Sequence, residues 1–212
     1  ELDFSLDITG FDMADIDVIL DDSLTQKTTE LDEKSNVVPF VAENEIVSKA
    51  DDIWLLGKHK IICGNSVEKE TYQNLFIDKK ADMVFTDPPY NVKVDGHVCG
   101  LGKVKHKEFK MASGEMSSEK FQNFLQSNFE LLKDFSKNGS LLFICMDWRH
   151  IKEIINAGYE VFDEFKNLCV WNKDNGGMGS LYRSKHELVF VFKNGNRSHQ
   201  NNIELGSHGR YR

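Results

Sequence analysis

The segment ADMVFTDPPYNVKVDG, residues 81–96, sets an acid, two prolines and an aromatic in a row straight after an apolar run. The whole chain has only 3 prolines, so an adjacent pair answers a local need. Pro88 and Pro89 each hold φ at about −65° and have no N–H to donate. Asp87, standing before a proline, is biased to extended backbone. The result is a stiff turn that offers a carboxylate, an acceptor carbonyl and the Tyr90 ring, with little freedom to lose on binding. A lone Asp-Pro pair would read as a strand-ending turn with a capping acid. All four residues together after MVF favour a binding or catalytic turn.

Such a turn needs elements to position it. ADMVF is a short continuous apolar run, the pattern of a strand covered on both faces. Open α/β sheets place their ligands beyond the C-terminal ends of such strands. Upstream, DDIWLLGKHKIICGNS reads as two short strands. Downstream, Phe121, Phe124, Leu125, Phe129, Leu132 and Phe135 form a helical stripe, with Ser118 expected as its N-cap and Asn138-Gly139 as its stop. SLLFIC is the next strand, and DWRHIKEIINAG a second helix closed by Gly158. NLCVWNK and HELVFVFKNG are later strands joined by DNGGMGSLYRS. Trp171 and the Phe stripe are expected in the core. This alternation predicts a largely parallel sheet with helices on both faces.

The net charge of −8 is unevenly spread. Residues 1–52 hold roughly 15 acids against 3 bases, which leaves the remainder mildly basic. Within that acidic stretch, Phe11, Ile16, Ile19 and Leu20 have near-helical spacing, and TQKTTELDEKSN reads as a linker. We therefore expect an acidic helix and linker over 1–50 and a catalytic part over 51–212. The 4 cysteines contain no CxxC pair, which predicts reduced thiols and a cytoplasmic protein. His97, Cys99 and His106 fit no usual metal spacing, so no metal is expected. No run approaches a membrane span.

DPPY in this setting resembles the catalytic motif of DNA amino-methyltransferases, which use S-adenosylmethionine. The likeness extends to HKIICGNSVEKE, similar to the family's Gly-Asp-Cys element, and to VWNKDNGGMGSLYRSKHELVFVFK, similar to its late Trp-x-Lys, Tyr-Arg and His-Glu segment. With the catalytic motif early, the order is that of the β-class, circularly permuted members of the DNA methylase N-4/N-6 family. LDFSLDITGFDMADIDVILDD is similar to the connector in methylases fused to an upstream ParB-like domain. The resemblance implies an α/β, Rossmann-like methyltransferase sheet. It also implies a sheet that is incomplete here, because the family's Phe-x-Gly-x-Gly cofactor loop does not occur before Arg212. Together with the absence of Met at position 1, this predicts a fragment of a longer enzyme, inactive on its own.

By the same resemblance, the Asp87 carboxylate and Pro88 carbonyl hold the two N–H groups of a base's amino group, adenine being the expected base. Pro89 stiffens the turn. Tyr90 stacks on the flipped base, a contact of ~1–3 kcal/mol that offsets part of the unstacking cost. Asn65 stands where the family has an acid on the cofactor adenine, and Asp87 forms part of the floor under the methyl group. Lys103, Lys105, Lys107 and Lys110 would clamp DNA phosphates. Arg197 and Arg210 fall where target recognition begins. The implied partner is double-stranded DNA with a flipped target base, with a homodimer left open and no membrane. Cytosine amino methylation stays open, as does an inactive DNA-binding piece. Enzymes with Asn-Pro-Pro-Tyr that methylate glutamine are disfavoured by the acid at 87. Carbon methylation of cytosine needs a Pro-Cys nucleophile, and the chain has no such dipeptide.

Overall fold

The computed structural model describes residues 47–93, 110–177, 182 and 184–202. The chain divides into two units, Glu1–Lys49 and Ala50–Arg212, and the second holds every helix and strand among the described residues. The predicted helix around Phe11–Leu20 and the linker after it lie outside the described residues.

Strands β1 (Ile53–Leu56) and β2 (His59–Ile62) form an antiparallel hairpin with Ile53 opposite Ile62. Gly57, at φ 62°, opens the two-residue turn between them, where left-handed backbone matches the strand twist. Helix α1 (Lys69–Phe76), which the sequence reading did not anticipate, packs Tyr72 and Phe76 on Phe135 at ring separations of 5.2 and 6.1 Å.

The main sheet contains β3 (Ala81–Thr86), β4 (Ser136–Met146), β5 (Glu164–Gly177) and β6 (Ser184–Lys193), in the order β3-β4-β6-β5. β3 and β4 are parallel, while β6 is antiparallel to both β4 and β5. Three strands therefore share one direction, with a reversed strand inserted third. The expected largely parallel sheet is in fact mixed, and compatible with part of a Rossmann-like methyltransferase fold.

Helices α2 (Ser118–Asp134) and α3 (Ile151–Val161) supply the core. The periodic stripe works as predicted: Phe121, Leu125 and Phe129 are fully buried against Leu142, Ile144, Phe190 and Phe192. On the opposite sheet face, Met83 and Phe85 are 59% and 63% exposed. Among the described residues, then, β3 is covered on one face and not both. Its apolar run places alternate side chains on opposite faces, and the helix layer here meets only Val84 and its row.

Three local expectations need correction. Ser117, not Ser118, caps α2, accepting from Lys120 N at 3.3 Å, while Ser118 Oγ donates to Glu153 at 2.7 Å. Asn138-Gly139 does not stop α2, which ends at Asp134; the pair belongs to β4, where Gly139 has φ 96°. Gly158 does not close α3. It lies buried inside the helix, where a Cβ would meet Phe192 Cζ at 2.2 Å. A short 3-10 turn, Trp148–His150, leads into α3, capped by the Asp147 carboxylate on Arg149 N.

Candidate active site at the end of strand β3

Thr86 pairs with Ile144 of β4 and is the last residue of β3, so Asp87 leaves the sheet at its C-terminal end. Pro88, Pro89 and Tyr90 follow as a half-buried turn, with Asp87 exposed at its start. The single hydroxyl proton of Tyr90 is shared between two carboxylates, Asp87 Oδ1 at 2.5 Å and Glu187 Oε1 of β6. Lys173 of β5 pairs with the other oxygen of Glu187 and stands 5.5 Å over the Trp171 ring. The turn and strand β6 thus meet at one phenol, and β5 is joined to them through Glu187.

The electrostatics follow from burial. Desolvation pushes the Tyr90 phenol far above its ordinary value, and the bonds to Asp87 and Glu187 push further the same way. Tyr90 therefore remains a hydrogen-bond donor. Cys145, at the buried end of β4, is pushed up to about 11 by burial, with the Asp87 and Glu187 carboxylates adding to the effect. Its thiol is protonated at neutral pH, so it is no ready nucleophile.

Asn91 locks the turn from behind. It is buried, and its φ of 54° is left-handed backbone that Asn tolerates better than most residues. Its Nδ2 donates to Met116 O at 2.9 Å, and its Oδ1 accepts from Gly114 N and Met116 N, each at 3.1 Å. The Glu115 carboxylate gathers Ala112 N at 2.7 Å and Ser113 N at 2.5 Å, so residues 112–116 form a firm seat.

Asn65 lies between β2 and α1 and spends its amide locally. Nδ2 donates to Glu68 Oε1 at 2.8 Å, and Oδ1 accepts from Val67 N at 3.3 Å. Its loop is tied to the helices through Ser66 O, which accepts from Tyr72 Oη at 2.9 Å and Asn128 Nδ2 at 3.3 Å. The described residues show no bond between Asn65 and the Asp87 turn.

Of the basic residues expected at DNA, Lys110 is exposed at the border of the described region, while Lys103, Lys105, Lys107 and Arg210 lie outside it. Arg197 sits at the far end of the sheet. Its backbone N–H donates to Asn138 Oδ1 at 2.9 Å, at the opposite end of β4 from the residues beside Asp87. At ~3.3 Å per residue, that end of β4 is roughly 20 Å away. Trp171 is 57% exposed and not a core residue; it lies on β5, at the edge of the sheet formed by the described residues.

Lys173 and Glu187 stand in the sequence as the Trp-x-Lys and His-Glu of the family resemblance with no role attached, and Asn91 carries no expectation at all. The available signals were an acid at the head of the apolar LVFVF run, and an Asn directly after a proline-rich turn. No group of His, Cys, Asp and Glu that could hold a metal occurs among the described residues, and His97, Cys99 and His106 fall outside them. Among the described residues no helix is long and apolar enough to cross a membrane.

No curated protein matches the chain. A family model for DNA methylases acting at N-6 and N-4 positions matches residues 81–208, from the first residue of β3 to beyond the end of β6. That match covers more than half of the chain and contains the Asp-Pro-Pro-Tyr turn, Lys173 and Glu187, so this chain belongs to the N-6/N-4 DNA methylase family.

Proposed function

We propose that Asp87, Pro88 and Tyr90 serve transfer of a methyl group from S-adenosylmethionine to the exocyclic amino group of adenine in DNA. The family acts on amino groups of DNA bases; the base, the donor and the residue roles are our reading. One observation carries it: a rigid turn at the C-terminal end of β3, with the Asp87 carboxylate and the Tyr90 phenol in contact. One oxygen of Asp87 accepts from Tyr90, which leaves the other able to accept from an amino N–H. A base amino group is a poor nucleophile because its lone pair is delocalised into the ring. Holding its two N–H groups on the Asp87 carboxylate and the Pro88 carbonyl favours a more tetrahedral nitrogen with its lone pair directed outward. The Tyr90 ring offers a stacking surface to a base turned out of the duplex. Lys110 is available for a phosphate.

The residues present fit one end of the methyl donor. An amide oxygen has two lone pairs, so Asn65 keeps an acceptor site for an adenine amino group after bonding Val67 N. Beside β3, Tyr72, Leu75, Phe76, Met83 and Phe85 line a largely apolar cleft of about 280 Å³. When bound, S-adenosylmethionine supplies the electrophilic methyl group, and the chain's contribution is orientation.

The test is nucleoside analysis of duplex DNA incubated with the full-length protein and the donor. N6-methyladenine is expected from the wild type, and none from Asp87→Ala with melting temperature unchanged. N4-methylcytosine instead would reassign the base, and full activity of Asp87→Ala would remove Asp87 from the site.

A further inference from the structure

We propose that Glu187, braced by Lys173, is a positioning residue that sets the Tyr90 ring and, through its hydroxyl, the Asp87 carboxylate. This rests on the methyltransferase reading above and extends it to two residues with no role so far. Glu187 is 9% exposed and belongs to a strand that is otherwise apolar through Leu188, Val189, Phe190, Val191 and Phe192. A carboxylate buried there is costly unless paired, and a well-packed apolar side chain of like size would serve stability as well or better. The acid joins the reactive turn to β5: one oxygen takes the Tyr90 hydroxyl, the other takes Lys173.

The geometry explains what the acid adds. Without Glu187, the Tyr90 phenol has only Asp87 to bond, across three residues of its own turn. With it, the one hydroxyl proton is shared between two carboxylates, and one of them belongs to the sheet. The ring plane a base would stack on is then referenced to β6, not to the turn alone. Lys173 keeps the Glu187 carboxylate in place, and the Trp171 ring beneath its ammonium limits where that ammonium can go. Displacing a reacting group by about 1 Å costs on the order of 100-fold in rate. A loss of roughly 10- to 100-fold in kcat is therefore expected when the tether is cut.

The experiment is a double-mutant cycle in the full-length protein, with Glu187→Leu, Tyr90→Phe and their combination. Glu187→Leu should lower kcat by that factor and leave KM for the donor within about threefold. In the Tyr90→Phe background it should cause little further loss, because its effect passes through the hydroxyl. Glu187→Gln, which keeps an acceptor oxygen and the shape, should retain kcat within a few-fold; it carries the test if the leucine variant fails to fold. The 13C chemical shift of Tyr90 Cζ at neutral pH reports the hydrogen bonding of the protonated phenol without substrate, and it should move in Glu187→Leu and stay close to wild type in Glu187→Gln. Losses that multiply across the cycle, an unchanged kcat in Glu187→Leu, or an unmoved Tyr90 Cζ shift in that variant would each overturn the proposal. Wild-type protein that methylates no DNA, with the Tyr90 Cζ shift moving as expected, would instead remove the proposed function.

Discussion

Replacing Gly158 by alanine sets two effects of opposite sign against each other. In a helix interior, alanine is favoured over glycine by about 1 kcal/mol, so propensity alone says Gly158→Ala stabilises. The structure says otherwise. The new Cβ would stand 2.2 Å from Phe192 Cζ and 2.3 Å from Cε1, where carbon atoms pack comfortably at about 3.5–4.0 Å. Phe192 is fully buried among Phe165, Phe162 and Phe129, at centroid distances of 5.1, 5.4 and 6.4 Å. The ring cannot give more than an ångström without pushing its neighbours, so the strain belongs at the upper end of the ~1–3 kcal/mol that overpacking costs. After the propensity gain, a net loss of roughly 2 kcal/mol remains. In a domain of this size that lowers Tm by about 4–8 °C. Thermal unfolding followed by far-UV circular dichroism measures it. Adding Phe192→Leu should recover part of the loss, because the smaller side chain vacates the site. A Tm equal to or above wild type for Gly158→Ala, or no coupling with Phe192→Leu, would show that the helix takes up the methyl without strain.

Asn91→Ala should destabilise by roughly 2–4 kcal/mol, since it strands two N–H groups and a carbonyl and puts alanine in left-handed backbone; urea denaturation reads it, and a shift below 0.5 kcal/mol would contradict the clamp. Cys145 should alkylate far more slowly than the exposed Cys63 and Cys169, as followed by mass spectrometry of iodoacetamide-treated protein. Its thiol is raised in the folded state, so the folded-state rate should climb as pH rises toward about 11, with no plateau near pH 9.

What the sequence made legible was whatever repeats locally. The Phe121–Leu132 stripe reads as a buried helix face because its spacing is set by helix geometry, and the DPPY turn reads as a strand end because two prolines permit little else. Gly158 misled because a glycine after an amphipathic run looks the same whether it ends the helix or admits a neighbour's ring; only Phe192, 34 residues on, distinguishes the two. Trp171 misled because hydrophobicity does not say which strand is outermost. Glu187 was legible as part of a His-Glu pair, but its contact was not: that contact with Tyr90 spans 97 residues, and no local pattern encodes a pairing at that distance.

The insertion of β6 between β4 and β5 also makes the sheet edge hierarchical. β5 precedes β6 in the chain, yet among the described residues its ladder hydrogen bonds reach the sheet through β6. The β5–β6 hairpin can form early from near neighbours, whereas docking β6 onto β4 must close a longer loop. In the native state the order reverses: β5 can open alone, but an opening that frees β6 from β4 releases β5 with it. Amides of β5 are therefore bound to exchange with solvent at least as readily as those of β6. Lys173 rides on the strand that detaches first, and the brace at Glu187 is the part of this site most exposed to local fluctuation.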